Sequence, residues 1–259
     1  GLSGDVAKVE AAPPNLVFIL ADDMGIGDVA ACNPDGKIPT PNIDRLAREG
    51  MKFTDAHTGS SVCTPTRYGI MTGRYAWRTP LKQGVLGGHS PHLIEPTRET
   101  VASFLKQHGY ATAAFGKWHL GMDWKLKDET KKGPRPSWKY VDPKAPIPNG
   151  PNSVGFDHYF GIAGSLNMDP HAYIENDRML GEVEVLKDLD AVNARGFTQP
   201  SQPGYAAKDY VQQEVLARLA TESCDWIRAH AAKPFFVYLP LPSPHSPIVP
   251  SARFRGKSG

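Results

Sequence analysis

An α/β fold, with a mostly parallel central sheet and helices on both faces, is predicted by three observations. Continuous apolar runs near 15–21, 110–115 and 234–241 are strand-sized and rich in Val, Phe, Ile and Tyr. Helix start and stop signals, Thr-Pro or an apolar stripe closed by Gly, fall between those runs. The two kinds of segment alternate along the chain, and such alternation packs as a sheet between helical layers.

Each element has its own local reason. Asn15–Ala21 (NLVFILA) reads as a fully buried, central strand that ends in the polar turn Asp22-Asp23-Met24-Gly25. Thr40 is an N-cap type and Pro41 suits the first helical position; Ile43, Leu46 and Ala47 then form an apolar face before Gly50. Thr64-Pro65 repeats the start signal and Gly73 the stop, which places Cys63 just before a short helix. Val101, Phe104, Leu105 and His108 have helical spacing up to Gly109, and Tyr110–Phe115 follows as a strand. The segment from about Tyr205 to Ala231 reads as the clearest helix, with Val211, Val215, Leu219, Cys224 and Ile227 as its buried stripe. Pro234–Leu241 is a further strand, followed by a Pro-rich loop.

Composition narrows the function. The chain has 259 residues, room for one large domain with a substantial core. Its 29 basic and 27 acidic side chains give a net charge of +2, which offers no electrostatic case for nucleic acid or a membrane surface. No apolar run approaches a membrane span. Three cysteines, Cys32, Cys63 and Cys224, do not make a disulfide framework. Residues 1–14 are small and polar and read as a flexible N-terminal segment. Gly and Pro concentrate in loops at 25–41, 79–97, 133–155 and 195–204, and ordered loops of that kind often carry a site. Asn-x-Ser/Thr does not occur, which weighs against an animal secretory protein.

In open α/β sheets ligands bind beyond the carboxyl ends of the strands. Three strand ends here carry reactive groups: Asp22-Asp23, then Lys117 with His119, then His245. If those strands are parallel, all converge on one cleft, and Cys63 joins them from a helix start. Adjacent carboxylates at a strand end suit a hard cation, Ca²⁺ or Mg²⁺, or else one of them caps a turn. Cys63 at a helix N-terminus with Arg67 one turn on suits a tetrahedral oxyanion; a buried Cys beside a surface Arg is the plain alternative. Lys117 and His119 project the same way from extended backbone, supplying fixed charge and a proton carrier, or they belong to a solvated loop. His245 is stiffened by Pro244 and Pro247. His89, His92, Asp169 and His171 sit in loops that could line a pocket, although loop polarity alone accounts for them.

Taken together these residues resemble the formylglycine-dependent sulfatases of the alkaline-phosphatase-like superfamily. The resemblance rests on Cys63-x-Pro65-x-Arg67 followed by Thr72-Gly73-Arg74, supported by PNLVFILADDMG, PTPNIDRLAREG and GKWHLG in the same order. It runs from Asn15 to about Pro250 and implies an alkaline-phosphatase-like fold and hydrolysis of carbohydrate or aryl sulfate esters. It implies that a maturation enzyme oxidises Cys63 to formylglycine, whose hydrate attacks sulfur with one hydroxyl and expels sulfate with the other. It implies Ca²⁺ on Asp22, Asp23 and the oxygen at position 63, charge stabilisation by Arg67 and Lys117, proton handling by His119, and contact of His245 with the sulfate and leaving oxygen. The style of the motifs resembles bacterial enzymes, which implies a periplasmic or secreted protein, a cytoplasmic one being the other option. One departure is expected to matter. The family pattern continues past His245 to an Asp-Asn pair completing the calcium set, a further Lys and a smaller C-terminal domain, and none of these is found. Asn176-Asp177 is misplaced and in reversed order. Residues 15–259 therefore read as the N-terminal portion of a catalytic domain. A phosphate or phosphonate ester hydrolase of the same superfamily, and a non-catalytic fragment, are the rival readings.

Overall fold

Six strands form one sheet in the computed structural model, which describes residues 12–134, 136–186 and 204–257. They are β1 (Leu16–Asp22), β2 (Ala111–Lys117), β3 (His158–Ile162), β4 (Ile174–Glu175), β5 (Arg178–Met179) and β8 (Phe235–Pro244). Their order is β1-β8-β2-β3-β4-β5. The first four in that order run parallel, and β4 and β5 are an antiparallel addition. β6 (Val183–Leu186) pairs antiparallel with β7 (Gly204–Ala207) in a separate ribbon. The principal helices are α1 (Pro41–Glu49), α2 (Cys63–Thr72), α3 (Val101–Gln107) and α4 (Val215–Ala229). The predicted mostly parallel α/β sheet is present. Residues 195–203 of the 195–204 loop and most of the N-terminal segment lie outside the described residues.

The period-two alternation of side chains makes two cores from one set of strands. Ala113 and Phe115 of β2, with Phe235 and Val237 of β8, pack against Val215 and Leu219 of α4. Ala114, Phe236 and Tyr238 face the other way, toward Tyr68 and Met71 of α2 and Ala102 of α3. Each large side chain so buried contributes roughly 1.5–3 kcal/mol. Helices therefore do cover both faces.

Three expectations change. β1 is neither central nor fully buried: it pairs only with β8 among the described residues, and Val17 and Ile19 are 48% and 55% exposed. An apolar run reports what a strand is built to bury, not how many neighbours it has. An apolar groove of about 490 Å³ opens beside it, lined by Phe18 and Leu20 and by Ile70 of α2. Likewise α1 forms as predicted, yet Leu46 on its apolar face stays exposed. The long helix at 205–231 is shorter: Gly204–Ala207 is strand, and α4 buries Val215, Leu219 and Ser223, leaving Cys224 exposed. Spacing of four fixes that face, and Cys224 is one residue off it.

Gly116 shows how tightly the site's strand is held. Its φ is +136°, and a Cβ there would fall 2.1 Å from the Pro240 carbonyl oxygen of β8. Neither a rotamer nor a small shift relieves a clash with backbone. Gly116→Ala is expected to destabilise the fold by about 3 kcal/mol or more, read as a drop in thermal midpoint. A change within half a kcal/mol would mean that β2 and β8 are not packed this closely.

Candidate active site

Parallel pairing puts the carboxyl ends of β1, β8 and β2 side by side, and the reactive residues follow directly from those ends. Asp22 closes β1, Lys117 closes β2, and His245 comes immediately after β8. α2 approaches from the side and offers its first residue, Cys63, with Arg67 one turn later. The structure thus brings together the residues singled out by the strand-end rule.

Two layers can be distinguished. The lower one is a buried charge cluster. Lys117 Nζ donates to Asp22 Oδ2 at 2.6 Å, and Arg67 Nη2 lies 3.5 Å from Asp22 Oδ1. Arg67 Nη1 also donates to the Lys117 carbonyl at 2.9 Å. Lys117, Arg67 and Asp22 are 0%, 1% and 5% exposed. Two cations on one carboxylate leave an excess positive charge, held away from water, where an anion is worth more than at the surface. Arg67 Nε has no hydrogen-bond partner among the described residues, so the guanidinium is not saturated.

Above it lies the proton-handling layer. Thr64 does not cap α2 as expected; Val62 is the N-cap. The Thr64 hydroxyl instead donates to the His119 carbonyl and accepts the Leu86 N–H, tying the helix start to the loop after β2. His119 Nε2 bonds the Leu86 carbonyl at 2.7 Å, so Nε2 carries the proton, and Nδ1 is buried with no hydrogen-bond partner among the described residues. Burial, then the charge on Lys117, hold His119 below the ordinary histidine range against the pull of Cys63. His245 is raised by its hydrogen bond with Cys63 and also lies 3.7 Å from Asp23. Of the three non-glycine residues with positive φ among those described, Asp23 (61°) and His119 (54°) both belong here. Left-handed backbone at non-glycine positions is uncommon and concentrates at functional sites.

Cys63 responds to this setting. Burial pushes its thiol up, but the neighbouring His119 and His245 and the charge of Lys117 outweigh it and bring it to about 5. An unmodified Cys63 is then a thiolate at neutral pH. Iodoacetamide alkylation of the folded, unmodified protein should proceed at nearly constant rate from about pH 6.5 to 8 and fall by half near pH 5. A rate still climbing tenfold per pH unit at 8 would show an ordinary thiol and contradict the described contacts.

Asp22 and Asp23 are hard oxygen donors of the type Ca²⁺ or Mg²⁺ takes, and position 63 could add one more oxygen. Ca²⁺ takes 6–8 oxygens. Among the described residues no group of three or more His, Cys, Asp and Glu is arranged to hold a metal. The set is partial, and Asp22 is already neutralised by Lys117 and Arg67.

The other candidates separate. His89 and Asp169 meet at 3.3 Å. His92 is largely buried, its backbone N–H on Asp123. His171 is 1% exposed, so it is not the surface residue that loop polarity suggested. Asn176-Asp177 forms the turn between β4 and β5, with Asp177 on Arg178 rather than at the cleft. Sequence reasoning missed Tyr159, which is fully buried and whose single hydroxyl proton is shared between the carbonyls of Gly116 and Ile162, bracing the strand ends. It also missed the Leu86 carbonyl; a backbone acceptor leaves no signal in residue type.

The chain matches known proteins along nearly its whole length. The sequence profile of the sulfatase family covers residues 14–259. The N-acetylgalactosamine-6-O-sulfatase of Bacteroides thetaiotaomicron is 31% identical over 95% of this chain and 51% of its own length. Bovine arylsulfatase A is 32% identical over 96% of this chain and 45% of its own. A solved structure from the Bacteroides thetaiotaomicron locus for metabolism of multiple glycosaminoglycans superposes with a TM-score of 0.81 at 29% identity, over 96% of this chain and 55% of that one. The chain spans about half the length of the relatives it matches.

Proposed function

Because this chain belongs to the sulfatase family, we propose that it carries the nucleophile-bearing part of an enzyme that hydrolyses sulfate monoesters, of carbohydrates or aryl alcohols, at position 63. The observation that carries this reading is the convergence of Cys63, Arg67, Lys117, His119 and His245 at the carboxyl ends of three adjacent parallel strands. A sulfate monoester is a tetrahedral oxyanion. Arg67 and Lys117 offer it fixed positive charge that is itself held away from water, where charge developing on the transferred group is stabilised most.

Formylglycine at position 63, made from Cys63 by a maturation enzyme, would supply an oxygen nucleophile with a second ionisable hydroxyl. The protein's own residues do the rest. Lys117 and Arg67 hold the sulfate oxygens. His119, kept neutral by burial and by Lys117, presents Nδ1 as the acceptor for a proton leaving the group at position 63. His245 reaches the same atom and is placed to donate toward the departing alcohol oxygen. Asp22 and Asp23 would supply part of a Ca²⁺ shell, which would add positive charge. Carbohydrate esters are supported as substrates by the names of the relatives. Among the described residues no helix is long and apolar enough to cross a membrane.

The deciding experiment is a mass spectrum of the peptide containing position 63, from protein made in its own host, with turnover of 4-nitrophenyl sulfate and 4-nitrophenyl phosphate in parallel. An aldehyde in place of the thiol and a preference for the sulfate are expected. A phosphate preference would move the chain to the phosphoester side of the superfamily. An intact thiol with no turnover of either would leave a non-catalytic protein.

A further inference from the structure

Three residues close a ring of hydrogen bonds around the candidate proton acceptor. The Thr64 hydroxyl donates to the His119 carbonyl at 3.0 Å, the His119 ring donates from Nε2 to the Leu86 carbonyl at 2.7 Å, and the Leu86 N–H returns to the Thr64 oxygen at 3.2 Å. Val62 stands at the N-cap of α2, which leaves the Thr64 hydroxyl for this ring. The direction of every bond is forced. A backbone N–H only donates and a carbonyl only accepts. Thr64 therefore accepts from Leu86 and gives its one proton to His119, and Nε2 must carry hydrogen to reach the Leu86 carbonyl. Hydrogen bonds joined head to tail polarise and strengthen one another. Thr64 and His119 are both fully buried, so water does not compete for their groups.

A neutral imidazole carries one N–H, so hydrogen at Nε2 makes Nδ1 an acceptor. In the other tautomer Nδ1 is itself a donor and takes no proton from its neighbour at position 63. The backbone of His119 is held as firmly as its ring. The Trp118 and His119 N–H groups donate to the carbonyls of Ile162 and Ala163, each at 3.0 Å, and Thr64 holds the His119 carbonyl. Together these contacts sustain a φ of +54°, which is uphill for a histidine. Thr64 also follows Cys63 directly in α2, so one turn of helix carries both the reacting side chain and the clamp on its proton acceptor. A tilt of α2 moves the two together. Valine has nearly the shape of threonine and offers neither the proton nor the lone pair.

Resting on the sulfatase reading, the structure assigns Thr64 as a positioning residue: its hydroxyl, bonded to the Leu86 N–H and the His119 carbonyl, holds His119 in the Nε2–H tautomer and keeps Nδ1 as the acceptor beside position 63. Thr64 touches neither the sulfate nor the reacting atom and acts through His119 alone.

Two measurements test the assignment, and the first needs no turnover. The full chain carrying Cys63→Ala is labelled with ¹⁵N-histidine and its two-bond proton–nitrogen spectrum recorded at about pH 8, where histidine is neutral. The His119 ring, identified by its loss in His119→Gln, is expected to be protonated on Nε2 alone. Adding Thr64→Val is expected to bring in the Nδ1–H form, and adding Thr64→Ser to keep the single form. Thr64→Ala takes the place of the valine if that chain does not fold. An Nδ1–H ring in the parent chain, or a single unchanged tautomer once the hydroxyl is gone, overturns the assignment. The second measurement is turnover of 4-nitrophenyl sulfate by mature protein, per formylglycine counted by mass spectrometry. Thr64→Val is expected to lose about tenfold to a hundredfold in kcat, the effect of a misplaced catalytic group, with KM no higher than in wild type, and Thr64→Ser to recover most of the loss. A merely structural threonine would loosen α2 as a whole, Arg67 included, and so raise KM and weaken binding of inorganic sulfate. That result, or a serine variant as slow as the valine, overturns the positioning role. An inactive wild type with the tautomer shift intact sinks the sulfatase reading and leaves the clamp on His119 supported.

Discussion

Replacing Lys117 by Met is expected to cut turnover of an aryl sulfate by about a hundred- to a thousandfold and to destabilise the fold by roughly 3–5 kcal/mol. Both effects come from one ammonium group. It is fully buried and bonds Asp22 at 2.6 Å, so removing it leaves a buried carboxylate with Arg67 as its remaining cation, at 3.5 Å. The lost catalysis has a different origin: on the proposed function, one of the two fixed charges that would stabilise the sulfate is gone. The two effects can therefore be pulled apart. Adding Asp22→Asn to Lys117→Met removes the stranded charge, and the double variant should regain part of the lost stability while remaining poorly active. Thermal unfolding and kcat/KM on the same four proteins complete the cycle. Additive stability changes would mean that Lys117 and Asp22 do not interact as described.

Cys63→Ala should bring turnover to background, a loss of at least about 10⁴-fold, with inorganic sulfate still binding within a few-fold of wild type. On the proposed function the nucleophile and the anion site are separate atoms: Arg67 and Lys117 would hold the oxyanion, and neither depends on the Cys63 side chain for its position. Their partners are Asp22 and the Lys117 carbonyl. Stability should change little, since Cys63 is only partly buried. Calorimetry with sulfate and a turnover assay decide it. Residual turnover near wild type would move the reacting group elsewhere, and lost sulfate binding would show that position 63 is part of the anion site.

Most of the site was legible because it obeys a geometric rule acting on reactive residue types. Asp22, Lys117 and His245 stand at or just after strand ends, and parallel pairing of β1, β8 and β2 is enough to gather them. Cys63 and Arg67 were legible from helical spacing. What was not legible depends on the third dimension. The NLVFILA run looks the same whether one neighbour or two flank it, so the edge position of β1 could not be read. Thr64 carries the chemistry of a cap and is used as a tether, because the His119 carbonyl comes within its reach only in the folded chain. The pairing of His89 with Asp169 joins residues 80 positions apart through backbone contacts at Gly88 and Gly204, which no local pattern encodes.

The strand order has a consequence in time. β8 lies between β1 and β2, yet among the described strands it is the last in chain order. Until it emerges, Asp22 has no strand linking it to Lys117, and the His245 contact with Cys63 does not exist. About 170 residues separate Cys63 from the start of β8, which at typical synthesis rates is roughly ten to thirty seconds. Throughout that interval the Cys63 segment waits for the elements that enclose it. A ribosome-bound chain thus carries this cysteine in an open peptide, whereas in the finished protein the same side chain sits between two histidines.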